Sequence, residues 1–144
     1  MATLTLHELT KTFAAGKPAV DRVSLDVADR EFVVIVGPSG CGKSTTLRLV
    51  AGIEPETSGE IRIDGVPVND RAPGARDIAM VFQDYALYPH MSVAGNIGFG
   101  LRRRGADSAE VARRVREVAR MLEIEALLDR RPGALSGGQR QRVA

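Results

Sequence analysis

The sequence predicts an α/β fold, on three observations. Residues 31–36 (Glu31, Phe32, Val33, Val34, Ile35, Val36) form an apolar run rich in β-branched residues, as in a strand buried on both faces. A glycine-rich stretch over residues 37–42 follows directly, and then residues 43–51 put Leu47, Val50 and Ala51 at helical spacing. Short alternating segments flank this strand–loop–helix unit, and beyond residue 92 the pattern becomes helical.

Leu4 and Leu6 alternate with polar residues, as do Val23, Leu25 and Val27, which predicts two half-buried strands. Asp29 and Arg30 turn the chain into the apolar run. Gly52 and Pro55 end the helix that begins near Lys43. Residues 60–65 alternate again and close on Asp64-Gly65, a turn signal. Residues 77–82, ending at Phe82, predict another buried strand, followed by Gln83 and a loop. Asp107 with Glu110 three residues later is a capping pair. Val111, Val115, Val118 and Leu122 form an apolar stripe with Arg113, Arg114, Arg116 and Arg120 largely off it, and Arg131-Pro132-Gly133 breaks that helix.

The chain has 144 residues, 44% hydrophobic and 26% charged, a globular composition long enough for one domain. No apolar stretch approaches the roughly 20 residues that cross a bilayer, and no basic leader with an apolar core opens the sequence. The single cysteine, Cys41, forms no internal disulfide and fits a reducing compartment. Residues 1–100 carry 9 basic and 12 acidic groups, net −3, whereas residues 101–144 carry 11 basic and 6 acidic groups, net +5. A basic end suits nucleic acid or anionic lipid. A solvated helix face is favoured, because helical spacing accounts for most of the arginines.

Gly37-Pro38-Ser39-Gly40-Cys41-Gly42-Lys43-Ser44 matches G-x-x-x-x-G-K-[ST] in full, between a buried strand and a helix. The chemistry requires that order. Glycines let backbone N–H groups point inward at a phosphate, and the helix start adds its positive dipole end. Lys43 brings a full charge to the β- and γ-phosphates, and the Ser44 hydroxyl can ligate Mg²⁺. A dinucleotide fingerprint would need a third glycine that is missing after Gly40 and Gly42. Cys41 has no histidine near it in sequence and reads as a small filler, although a lysine and a helix N-terminus favour its thiolate.

Leu135-Ser136-Gly137-Gly138-Gln139 opens a further helix, with Ser136 as N-cap and Gln139 at the matching capping-box position. The two glycines leave the first N–H groups uncovered, which suits a second anion. A plain cap after the Pro132-Gly133 turn explains the same residues, and the residues alone leave both readings open.

The phosphate loop, Gln83 and Leu-Ser-Gly-Gly-Gln, in that order, resemble the nucleotide-binding subunit of an ATP-binding cassette (ABC) transporter across essentially the whole chain. The run from Val81 to His90 and the ending from Gln139 to Ala144 are similar to the sugar-import branch, the maltose and glycerol-3-phosphate type. The resemblance implies a P-loop NTPase (RecA-like) core over residues 1–85 with an antiparallel β subdomain, then the start of the helical subdomain over residues 86–144, with an incomplete sheet. It implies that Phe13 stacks on adenine and that Gly37, Pro38, Ser39, Gly40, Cys41, Gly42, Lys43, Ser44 and Thr45 hold the phosphates of ATP. Ser44 and Gln83 would meet Mg²⁺, with Gln83 also touching the attacking water. Leu135, Ser136, Gly137, Gly138 and Gln139 would contact the ATP of the opposite subunit in a head-to-tail dimer. The loop from Asp84 to Met91 would contact a transmembrane permease, at the cytoplasmic face of the plasma membrane. A cassette ATPase acting on nucleic acid is disfavoured by the Tyr85 to His90 run.

In the same family an apolar strand ending in Asp-Glu, and then a switch histidine, follow the signature. The sequence reaches Ala144 first. No upstream strand pairs Asp with Glu, and His7 and His90 fall in the wrong places. The expectations are therefore a longer domain cut at 144, with a nucleotide-binding module without turnover as the alternative. Flanking strands would be left with open edges, so these residues alone should fold poorly.

Overall fold

The computed structural model describes residues 2–14 and 16–144. It divides into two compact units, Met1–Met80 and Val81–Ala144.

The first unit holds an antiparallel sheet in the order β2-β1-β3-β4, where β1 is Leu4–Thr12, β2 Pro18–Val27, β3 Ser58–Ile63 and β4 Val66–Pro67. Simple alternation describes only part of β1. A register shift between Leu6 and Leu9 carries Glu8 into a left-handed conformation (φ 46°), so Leu6, Leu9 and Lys11 are all buried despite their uneven spacing. Asp64 and Gly65 both have positive φ, as a two-residue hairpin turn requires. Helix α1, Lys43–Val50, packs on the sheet through Leu49, which joins Leu6, Leu9, Val20, Ile61 and Val68 in one core. It ends in a Schellman turn: Gly52 N–H donates to the Leu49 carbonyl and Ile53 N–H to that of Arg48, both at 3.0 Å.

Neither buried strand expected around the phosphate loop forms. Residues 31–36 and 77–82 are not strands, and Phe32 and Val36 are 89% and 81% exposed. A strand exists only as one side of a hydrogen-bonded ladder, and among the described residues neither run has a neighbouring strand. Their apolar composition is right for a sheet interior, but no ladder is present to hold it.

The second unit is helical: α2 (Val93–Ile97), α3 (Phe99–Arg103), α4 (Ser108–Met121) and α5 (Gly137–Val143). Val93, Ala119, Ile124, Leu135 and Val143 form its core. Two backbone bonds, from Val93 to the Arg130 carbonyl and from Ala94 to that of Leu128, tie the start of α2 to the segment leading into α5. The buried row on α4 is Val111, Val115 and Ala119, whereas Val118 is 37% exposed. Both rows share one apolar face of the helix, and the core reaches its Ala119 edge rather than its Val118 edge. Asp107 caps α4 by accepting from Glu110 N–H at 2.8 Å. The Glu110 carboxylate turns forward to Arg113 and Arg114, which together hold it below the ordinary carboxylate range. No described helix is long and apolar enough to cross a membrane.

Candidate functional site

The phosphate loop runs from Gly37 into the first turn of α1. Gly42 is its pivot: it is the N-cap of α1, with φ 95°, and a Cβ there would lie 2.2 Å from the Ala19 carbonyl oxygen. Only glycine meets both demands, so the loop packs directly on the backbone of β2. The start of α1 has no side-chain cap and no acidic residue in its first turn. The first N–H groups of a helix have no partner within it, and a capping side chain commonly takes one of them. Here no side chain takes them, an arrangement whose dipole favours an anion.

Lys43 arches back over the loop, its ammonium donating to the carbonyls of Gly37 and Pro38 at 2.7 Å each and lying 3.5 Å from Cys41 Sγ. Cys41 is exposed, as are Ser39, Gly40 and Ser44, while Thr45 is half-buried. Thr46 closes the first turn by donating through Oγ1 to the Gly42 carbonyl at 3.1 Å. Ser44 lies exposed in the same first turn, and a serine hydroxyl is the kind of oxygen ligand that suits a hard cation.

Phe13 follows β1 and is 46% exposed. The β1–β2 hairpin that carries it also supplies the Ala19 carbonyl beneath Gly42, so ring and loop share one support. Sequence reasoning missed Lys11. Its ammonium lies 5.0 Å from the Phe13 ring centroid and is held by Glu54 Oε1 and the Pro55 carbonyl, each at 2.7 Å. The signal was present, since residues two apart on a strand share a face.

In the second unit, Gln83 is exposed in a turn closed by Tyr85 N–H on the Phe82 carbonyl at 2.9 Å, and Tyr85 and Ala86 both have left-handed backbone. In the loop to Met91, Asn96 accepts from Tyr88 N–H at 2.7 Å and donates back to its carbonyl, and Tyr88 leans on Phe99 with ring centroids 4.6 Å apart. At α5 the full capping box is present. Ser136 Oγ accepts from Gln139 N–H at 3.3 Å, and Gln139 Oε1 accepts from Ser136 N–H at 2.9 Å. Leu135 is buried and anchors the motif, while Ser136 and Gly138 are exposed. A Cβ on Gly137 would touch only the Tyr85 hydroxyl, at 4.0 Å, and one on Gly138 would meet nothing within 4 Å. Packing inside the unit therefore does not demand glycine at either position.

Comparison with known proteins agrees with this geometry. The sn-glycerol-3-phosphate import ATP-binding protein UgpC of Bordetella avium is 60% identical over all 144 residues, and its namesake in Cupriavidus metallidurans is 59% identical. The chain spans about 40% of the length of these relatives. Among solved structures, the ATP-binding cassette MJ0796, dimeric in a post-hydrolysis state with ADP and Pi, superposes with a TM-score of 0.89 at 36% identity, covering 97% of this chain and 66% of that one. The ABC transporter profile matches residues 20–144, and on that match the chain belongs to the ABC transporter family.

Proposed function

We propose that this chain is the nucleotide-binding part of an ABC importer ATPase subunit that couples ATP binding and hydrolysis to solute uptake. The solute class is a sugar or polyol phosphate, following the sn-glycerol-3-phosphate import named for its relatives. The observation that carries the reading is the start of α1: a helix end with no internal cap, a glycine pivot and an arched lysine, on a loop of phosphate-binding sequence.

In this reading residues 37–45 cradle the phosphates, and Phe13, backed by Lys11, stacks on the adenine. Ser44 and Gln83 would hold Mg²⁺, which would supply charge neutralisation for the phosphates. Gln83 orients the attacking water. Residues 135–139 meet the nucleotide of a second copy in a head-to-tail dimer, so that each ATP is held between two chains. The loop from Asp84 to Met91 docks on a transmembrane permease, which keeps the subunit peripheral to the membrane.

The test is nucleotide binding and phosphate release by the complete gene product. Lys43→Ala should lower phosphate release by about a hundredfold or more, the scale of losing one positioned transition-state donor. Gln83→Ala should reduce release while leaving binding largely intact. Binding without any release in the parent protein would favour a module that does not turn over.

A further inference from the structure

Arg76 is 4% exposed, and none of the motifs accounts for it. Its guanidinium closes the C-terminal end of α1. Nη1 donates to the carbonyls of Leu49 and Val50, at 3.0 Å each, Nη2 to that of Asn69 at 3.0 Å, and Nε to that of Arg71 at 3.1 Å. Both carbonyls of α1 lie in the last turn of the helix, where intrahelical donors run out; that of Leu49 also accepts from Gly52 N–H in the Schellman turn. A positive charge at that end is also where the helix dipole favours one. Burial lowers the pKa of Arg76, and the charge of nearby Glu56 partly opposes this. Space for the group is reserved by Gly52, where φ is 70° and a Cβ would lie 2.5 Å from Arg76 Nε. The helix end, its Schellman turn and residues 69–76 are thus locked into one unit.

Helix α1 is eight residues long, about 12 Å. Over so short a rod, whatever fixes one end along the axis fixes the other. We propose that Arg76 is a positioning residue of the nucleotide site. By anchoring the far end of α1 it holds the first-turn N–H groups, Lys43 and Ser44 at the depth where phosphate and metal meet them. Its charge also balances, at the opposite end of the helix, the anion taken at the start. This inference rests on the nucleotide-binding reading above.

The test measures MgATP affinity by titration calorimetry on the complete gene product, as parent, Arg76→Lys and Arg76→Ala. Each is measured below its own unfolding transition, with the folded fraction read from stoichiometry. Arg76→Ala should weaken binding roughly tenfold per folded molecule, the scale of losing charge-assisted bonds at a helix end. Arg76→Lys should fall between, because an ammonium is a point charge that cannot fork across four carbonyls. Added guanidinium ion should restore part of the affinity of Arg76→Ala and leave the parent unchanged. A merely structural arginine would lower Tm and stoichiometry but leave Kd as in the parent, and that result overturns the proposal. Where Arg76→Ala does not fold, Arg76→Lys decides by the same criterion. Unchanged Kd in the variants, with normal binding by the parent, sinks this inference alone. No MgATP binding by the parent sinks it together with the reading it rests on.

Discussion

Gly42 and Cys41 stand side by side in the phosphate loop and make different predictions. Gly42 has φ 95° and sits against the Ala19 carbonyl. Gly42→Ala adds left-handed strain of about 1–2 kcal/mol and a backbone clash, so it should lower Tm as well as nucleotide affinity. Scanning calorimetry of the complete gene product beside a binding titration checks both. Cys41 is exposed, 3.5 Å from the Lys43 ammonium. Thiol reagents should modify it and MgATP should protect it. Equal labelling with and without nucleotide, read by mass spectrometry, would contradict the phosphate-loop assignment. Both residues were legible in the sequence because G-x-x-x-x-G-K-[ST] is a local pattern. Arg76 was not legible. Two of its acceptors are backbone carbonyls 26 and 27 residues away, and a carbonyl leaves no mark on side-chain identity.

Caps and turns, at the level of elements, followed the sequence closely, since each is decided within a few residues. The Ser136–Gln139 box, the Asp107 cap and the Asp64-Gly65 hairpin are all present. Ser136→Ala and Asp107→Ala should each cost about 1 kcal/mol, measured by denaturant unfolding of the complete gene product. Leu49→Ala should cost more, about 2–5 kcal/mol, because it removes the one fully buried contact of α1 from the sheet core. The Glu110 carboxylate, lowered by Arg113 and Arg114, contributes above its unfolded pKa and loses that contribution as pH falls through the folded value. Its partners Arg113 and Arg114 are solvent-exposed, so water screens the pairs and Glu110→Gln should leave the acid limb of the stability curve nearly unchanged. Residues 31–36 and 77–82 behaved differently. Composition can report that a run suits a sheet interior, but a ladder depends on a partner elsewhere in the chain. The same limit hid the register shift in β1, which is set by how Leu6 and Leu9 meet the core together.

Across the molecule, the first unit leaves a large apolar surface uncovered. Phe32, Val34, Val36 and the α1 residue Leu47 are 89%, 62%, 81% and 52% exposed. Surface of this kind seeks a partner, and unpaired β-branched runs seek a strand. The 144 residues prepared alone should bind a hydrophobic dye, self-associate on size exclusion and unfold without a sharp transition. A cooperative transition with a dispersed NMR spectrum would contradict this. The central claim concerns two surfaces that packing inside each unit does not explain: the uncapped start of α1 and the bare glycines at the start of α5. In the proposed function they are the two sides of one ATP site, contributed by two copies of the chain. The most direct measurement is the mass of the complete gene product in solution with MgATP, under conditions that slow hydrolysis, for the parent and for Gly138→Asp. A Cβ at Gly138 meets no atom within 4 Å, so the site has room for a side chain, and this change places an anion where phosphate would approach. The prediction is a nucleotide-dependent dimer for the parent and an ATP-binding monomer for Gly138→Asp. Equal dimerisation of both proteins, or none in a parent that binds ATP, would contradict it.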